Sequence, residues 1–170
     1  MNLALTKQWI TRWEGVRTAC YQDTKGIATI GVGFNLECHG AEDCISNLGL
    51  DYHEVRTGAC DLTSDQVDKL LEASIQIALA TARSLVPNFD ALPENQQLVL
   101  IDLAYNLGGT RLAEFHNTLK FIKNQDWPNA AANLQQSAWI HQVGAGPRQR
   151  GGADVAVLAN TAKPQDILAA

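Results

Sequence analysis

Residues 13–35 read WEGVRTACYQDTKGIATIGVGFN, and within them the pattern changes from helical to alternating. Leu3, Leu5, Trp9, Ile10 and Trp13 recur at helical spacing, which predicts a helix over 3–14 with Glu14 at its end and Gly15 as its stop. Beyond it, Tyr21, Ile27, Thr29 and Ile30 form short alternating segments. Thr24, Lys25 and Gly26 suit a turn, and Gly31 and Gly33 fall inside a strand. The expectation is a small antiparallel hairpin or three-stranded sheet. Paired glycines in one strand mark a place where another group approaches the backbone closely.

Downstream, residues 38–61 hold Gly40, Gly49, Gly58 and three cysteines and read as a looped insertion. Leu62 and Thr63 then announce a long helix: Thr63 caps it, Gln66 completes a capping box and Leu62 staples against Val67. The apolar positions repeat at helical period to Leu85, and Pro87 stops the run. The segment Glu94 to Leu107 is apolar on nearly every face, which predicts a central buried helix ended by Gly108 and Gly109. Shorter helices are expected at 111–115, 119–124, 128–140 and 149–158. The fold class is therefore α+β. A small N-terminal sheet lobe (about 12–65) is joined by a long helix (about 63–86) to a helical lobe (about 87–170) that packs with helix 3–14. All 170 residues form one two-lobed domain, with a ligand cleft expected between the lobes.

The composition narrows the partners. With 46% hydrophobic and 18% charged residues the chain is globular, and a net charge of -5 provides no basic field for nucleic acid or an anionic membrane. The longest apolar run, Leu98 to Leu107, is broken by Asp102 and is far below the ~20 residues of a membrane span. The first nine residues lack a charged start and an apolar core, so synthesis without a cleaved secretory signal is expected. Cys20, Cys38, Cys44 and Cys60 contain no CxxC pair, and even with His39 and His53 nearby no metal site and no cofactor are expected. Buried thiols or disulfides remain open readings. Cys20, three residues before Asp23, can report redox state if it pairs with a cysteine of the insertion.

Glu14, Asp23 and Thr29 carry the chemistry. Cleaving a glycosidic bond needs an acid that is protonated near neutral pH and a second group that delivers water or a nucleophile. Trp13, Gly15 and Val16 can desolvate Glu14, whereas Asp23 lies among Gln22, Thr24 and Lys25 and should stay ionised; the Thr29 hydroxyl can hold the same water. Each residue alone has an ordinary reading, as a solvated charge, a turn residue or a strand former. Their combination and spacing are the signal.

That combination, WEG followed by YxDxxGxxTIGxG, resembles the phage-type lysozyme family (glycoside hydrolase family 24), to which the T-even phage lysozymes belong. The resemblance continues in YNLGG (105–109), FHNTL (115–119) and DWPNAAANLQQSAW (126–139), so that it covers nearly the whole chain. It implies a lysozyme-like fold and a muramidase acting on peptidoglycan glycan strands at the β-1,4 bond between N-acetylmuramic acid and N-acetylglucosamine. It also implies Glu14 as general acid, with Asp23 and Thr29 positioning a water that attacks the opposite face with inversion. Inversion would put the two carboxyl groups roughly 6.5 to 9.5 Å apart. By the same resemblance Gly33, Tyr105, Thr118 and Asn133 contact substrate, and either Arg148 or Arg150 faces Glu14. Further expectations are a monomer, and action on the cell wall after release by a holin or a delivery apparatus. Phe34 stands where T-even relatives carry His, and the cysteine-bearing insertion is longer than in the best-known members. A negative net charge should weaken attraction to intact cells. The rival readings are a lytic transglycosylase, which needs no second carboxylate, and a non-catalytic peptidoglycan-binding module.

Overall fold

The computed structural model describes residues 1–170 and has an α+β, lysozyme-like architecture, a three-stranded antiparallel sheet among ten α-helices. Two compact units make up the chain. One comprises Met1–Trp9 with Ile77–Ala170, the other Ile10–Gln76.

In the second unit, helix α1 (Leu3–Glu14) contributes its last turns and ends at Gly15, whose left-handed φ of 72° closes it. Strands β1 (Arg17–Gln22), β2 (Ala28–Gly31) and β3 (Phe34–Asn35) follow, in sheet order β1-β2-β3. Tyr21 pairs with Thr29, and Thr29 with Asn35. Gly31 lies in a strand as expected, as the last residue of β2 and paired with Arg17, but Gly33 does not: with Val32 it connects β2 to β3. Both glycines are left-handed, at φ of 66° and 67°. A two-residue connection flanked by strand residues gives the same period-2 signal as a continuous strand.

The insertion is also more regular than its glycines suggested. It contains α2 (Ala41–Ser46) and α3 (Tyr52–Thr57). Asp51 caps α3 by accepting from Glu54 N–H at 2.9 Å, Gly58 ends it in the left-handed region, and Ile45 and Val55 are fully buried. Helices of six residues are too short to show a repeating face. Helix α4 (Ser64–Leu85) begins with the expected capping box: Thr63 N–H donates to Gln66 Oε1 at 2.9 Å, and Gln66 N–H to Thr63 Oγ1 at 3.3 Å.

In the helical unit, α5 (Glu94–Ala113) is buried on nearly all sides, as its unbroken apolar composition requires. Gly108, at φ 71° and ψ 166°, is non-helical and ends the buried helix as expected; a second, short helical piece follows the kink to Ala113. Helix α6 spans His116–Lys123. The single helix expected at 128–140 is two, α7 (Trp127–Gln135) and α8 (Ala138–Val143). Helices α9 (Arg150–Leu158) and α10 (Pro164–Ala169) complete the unit, and α9 packs against α5, α7, α8 and α10.

A polar network is buried within that packing. Arg150 donates to both oxygens of Asp102, Nε to Oδ2 and a terminal nitrogen to Oδ1, each at 2.8 Å. Asp154, fully buried, accepts the Trp9 indole N–H on Oδ1 at 3.1 Å. Its Oδ2 has no N–H donor and lies beside the Asp102 carboxylate. Burial, reinforced by the charge of Asp102, pushes the Asp154 pKa well above 3.8 and so favours its neutral form. Its stabilising contribution is complete below that ordinary value and is lost as pH rises through the raised folded value. The neutral, nearly isosteric Asp154→Asn should therefore gain stability relative to wild type as pH is raised from 4 to 8 in urea melts. Asp102→Asn leaves Arg150 buried without its counter-ion and should cost roughly 3 to 5 kcal/mol in the same measurement.

Candidate active site

Four of the residues singled out by the sequence, Glu14, Asp23, Thr29 and Gly33, lie in the unit Ile10–Gln76. Glu14 is the last residue of α1. Gly33 is at the hairpin between β2 and β3, and a Cβ built there would stand 2.8 Å from Glu14 Oε2 and 3.1 Å from its Cδ. The carboxyl group thus rests against the Gly33 backbone, where a side chain would have to push it aside. This accounts for the second strand-like glycine in chemical terms: Gly33 supplies both a left-handed φ and the space for Glu14.

Asp23 opens the turn between β1 and β2. Its Oδ1 accepts from the Lys25 N–H at 2.8 Å and the Ile27 N–H at 2.9 Å, and its backbone N–H donates to the Ile27 carbonyl at 3.0 Å. These bonds, led by that from Ile27, hold its carboxyl below the usual Asp value of 3.8. Both backbone donors use Oδ1, so Oδ2 stands outside the turn network. Thr29 is buried in β2 and donates its hydroxyl proton to the Ile27 carbonyl at 2.9 Å. With its proton committed, the oxygen can serve a further partner only as an acceptor.

Tyr21 was given no role from sequence, yet it is the cross-strand partner of Thr29. Its phenol pKa is raised by burial first, then by the charges of Glu14 and Asp23, against the lowering effect of Arg17, whose guanidinium lies 4.8 Å from the ring centroid. The phenol therefore senses both acidic residues at once. Its place two residues before Asp23, on an alternating strand, was the available signal.

The remaining candidates belong to the helical unit. The Thr118 hydroxyl, buried, donates to Asn133 Oδ1 at 2.7 Å, so the structure joins these two. Asn133 lines an open groove of about 500 Å³ together with Arg111, His116, Ser137, Trp139 and Gln142. Tyr105, on α5, is half-buried and is not part of that lining; its neighbour Asn106 accepts the Trp139 indole N–H at 2.8 Å. Arg150 is committed to Asp102, while Arg148 is exposed.

A family model described as phage lysozyme matches residues 11–153. The chain belongs to the phage lysozyme family. Among curated proteins it is 27% identical over 139 residues to probable T4-type lysozyme 1 of Dictyostelium discoideum, covering 76% of this chain and 81% of that protein. It is 25% identical to probable T4-type lysozyme 2 of the same organism, with the same coverage. It is also 25% identical over 149 residues to the pre-baseplate central spike protein Gp5 of Enterobacteria phage T4. That match takes in 84% of this chain but only 26% of the spike protein. Membership of the phage lysozyme family supports a lysozyme-like hydrolase with peptidoglycan as substrate. No helix is long and apolar enough to cross a membrane.

The contact between Gly33 and Glu14 can be tested in isolation. Gly33→Ala should destabilise the protein by about 2 kcal/mol through the left-handed φ alone, with more from the clash. In a Glu14→Ala background the clash component should vanish. Denaturant melts of the four members of this cycle measure the coupling, and a penalty that is equal in both backgrounds would show that the carboxyl does not occupy that space.

Proposed function

We propose that this protein is a muramidase that hydrolyses the β-1,4 bond between N-acetylmuramic acid and N-acetylglucosamine with inversion. The observation that carries the reading is the convergence on one small sheet of a helix-end carboxyl against Gly33 and a backbone-pinned, ionised Asp23 beside an acceptor-only Thr29. Glu14 acts as the general acid, protonating the departing glycosidic oxygen. Asp23 Oδ2 and Thr29 Oγ1 accept the two O–H bonds of one water. Both protons of that water are then directed to the protein, which turns a lone pair toward the sugar carbon. As that bond forms, Asp23 takes up a proton as general base. Gly33 keeps Glu14 in place, and Tyr105, Thr118 and Asn133 contribute to substrate binding. The protein works as a monomer in lysing the bacterial cell wall, which it reaches by a holin or a delivery apparatus.

Glu14→Gln should fold normally and lose lytic activity on purified sacculi by at least about 100-fold, the lower end of what a positioned acid contributes. Asp23→Asn and Thr29→Val should each lower kcat with little change in KM, because both act on the water and not on sugar binding. Following the anomeric configuration of the first product by NMR decides the mechanism. Inverted reducing ends support it, retained ends point to a covalent intermediate, and anhydro-muramic ends to transglycosylation. Sacculi that are bound but release no fragments would leave only a binding module.

A further inference from the structure

The four cysteines are the chemistry that this site does not use. All of them lie between residues 20 and 60, none forms a disulfide, and Cys38 is exposed while the other three are half-buried. Their placement is not random. The Cys20 thiol donates to the Arg56 carbonyl at 3.3 Å, near the end of α3, and Leu62 N–H donates to the Thr18 carbonyl at 2.9 Å. The chain from Arg56 to Leu62 therefore starts beside Cys20 and finishes beside Thr18, and Cys60, whose thiol donates to the Asp61 carbonyl at 3.7 Å, lies between these two contacts. Cys60 N–H is held at 3.2 Å by the Glu54 carbonyl, which keeps it near the end of α3 where the Cys20 thiol is bonded.

The second pair brackets the start of α2. Ala41 N–H donates to the Cys38 carbonyl at 3.1 Å, and Cys44 N–H to the Gly40 carbonyl at 3.0 Å, so one helical turn brings both cysteines to the same end. The Cys38 thiol pKa is raised by burial and then by Cys44, which agrees with two thiols in mutual range.

We infer that these four thiols are two crosslinking pairs, Cys20 with Cys60 and Cys38 with Cys44, which close by exchange with a disulfide donor in an oxidising compartment. In each pair one thiolate attacks a sulfur of the donor, forming a mixed disulfide and expelling one donor thiolate. The second cysteine thiolate then attacks its partner's sulfur and expels the other donor thiolate. Both cysteines are oxidised, the donor is reduced to two thiols, and the two cysteine protons pass to solvent or to the departing thiolates. The Cys20–Cys60 bond would close a ring of chain that contains Asp23, Thr29 and Gly33, fastening the insertion to the strand that leads into Asp23. This inference goes beyond the wall-cleaving reading, and its readouts make no use of lytic activity.

Full-length protein is incubated with oxidised glutathione or with dithiothreitol, alkylated with N-ethylmaleimide and mapped by peptide mass spectrometry. Linked peptides for Cys20–Cys60 and Cys38–Cys44 are expected after oxidation and none after reduction. Oxidation should raise Tm by roughly 5 to 15 °C, reversibly. Cys60→Ser should lose most of that rise, and Cys38→Ser the smaller part, because the Cys38–Cys44 ring is short. Four alkylated thiols after oxidation, dominant pairing of Cys20 with Cys38 or Cys44, or an unchanged Tm despite both bonds would each overturn the inference.

Discussion

The position of Glu14 depends on an atom that is missing, the Cβ of Gly33. A left-handed residue in the β2–β3 connection is needed to fold β3 back onto β2, and the same residue leaves the gap into which the α1 carboxyl fits. One glycine thus ties the end of a helix to a hairpin by contact and by backbone conformation together. Thr29 belongs to that hairpin and Asp23 to the turn that feeds it, so the three polar residues form a single mechanical unit and are not three independent placements.

The two acidic residues are fixed in different ways, and this difference bears on their roles. Asp23 is set by its own neighbourhood: two backbone N–H groups within four residues hold one oxygen and favour the ionised form. Glu14 is set by a residue far along the chain, in a contact that depends on the sheet being formed. Asp23 is thus built locally, whereas the setting of Glu14 requires the completed sheet, so the two are fixed together only when this unit has folded.

Legibility in the sequence followed the same division. The helix stop at Gly15, the capping box at Thr63 and Gln66, and the break at Gly108 rest on local chemistry and were readable. The α+β plan and phage lysozyme membership were readable because the spacing of Glu14, Asp23 and Thr29 combines with glycines at fixed offsets. What stayed hidden was set by long-range partners. Asp102, Arg150, Asp154 and Trp9 look in sequence like scattered polar residues, and only packing of α9 on α5 brings them into one buried network. Likewise α2 and α3 were lost among glycines because six residues cannot display a period, although Asp51 and Gly58 already carried the capping signals of α3.

Charge and burial in this molecule divide the work by distance. A net charge of -5 gives no long-range attraction toward an anionic wall, and the buried Asp102 carboxylate is neutralised in place by Arg150. The interactions available in the groove lined by Asn133 and Arg111 are therefore of short range. Such contacts act only after encounter. For a protein delivered close to its substrate, affinity set by contact costs little in rate, whereas for one that must search through solution the same acidic surface would slow capture, most of all at low salt.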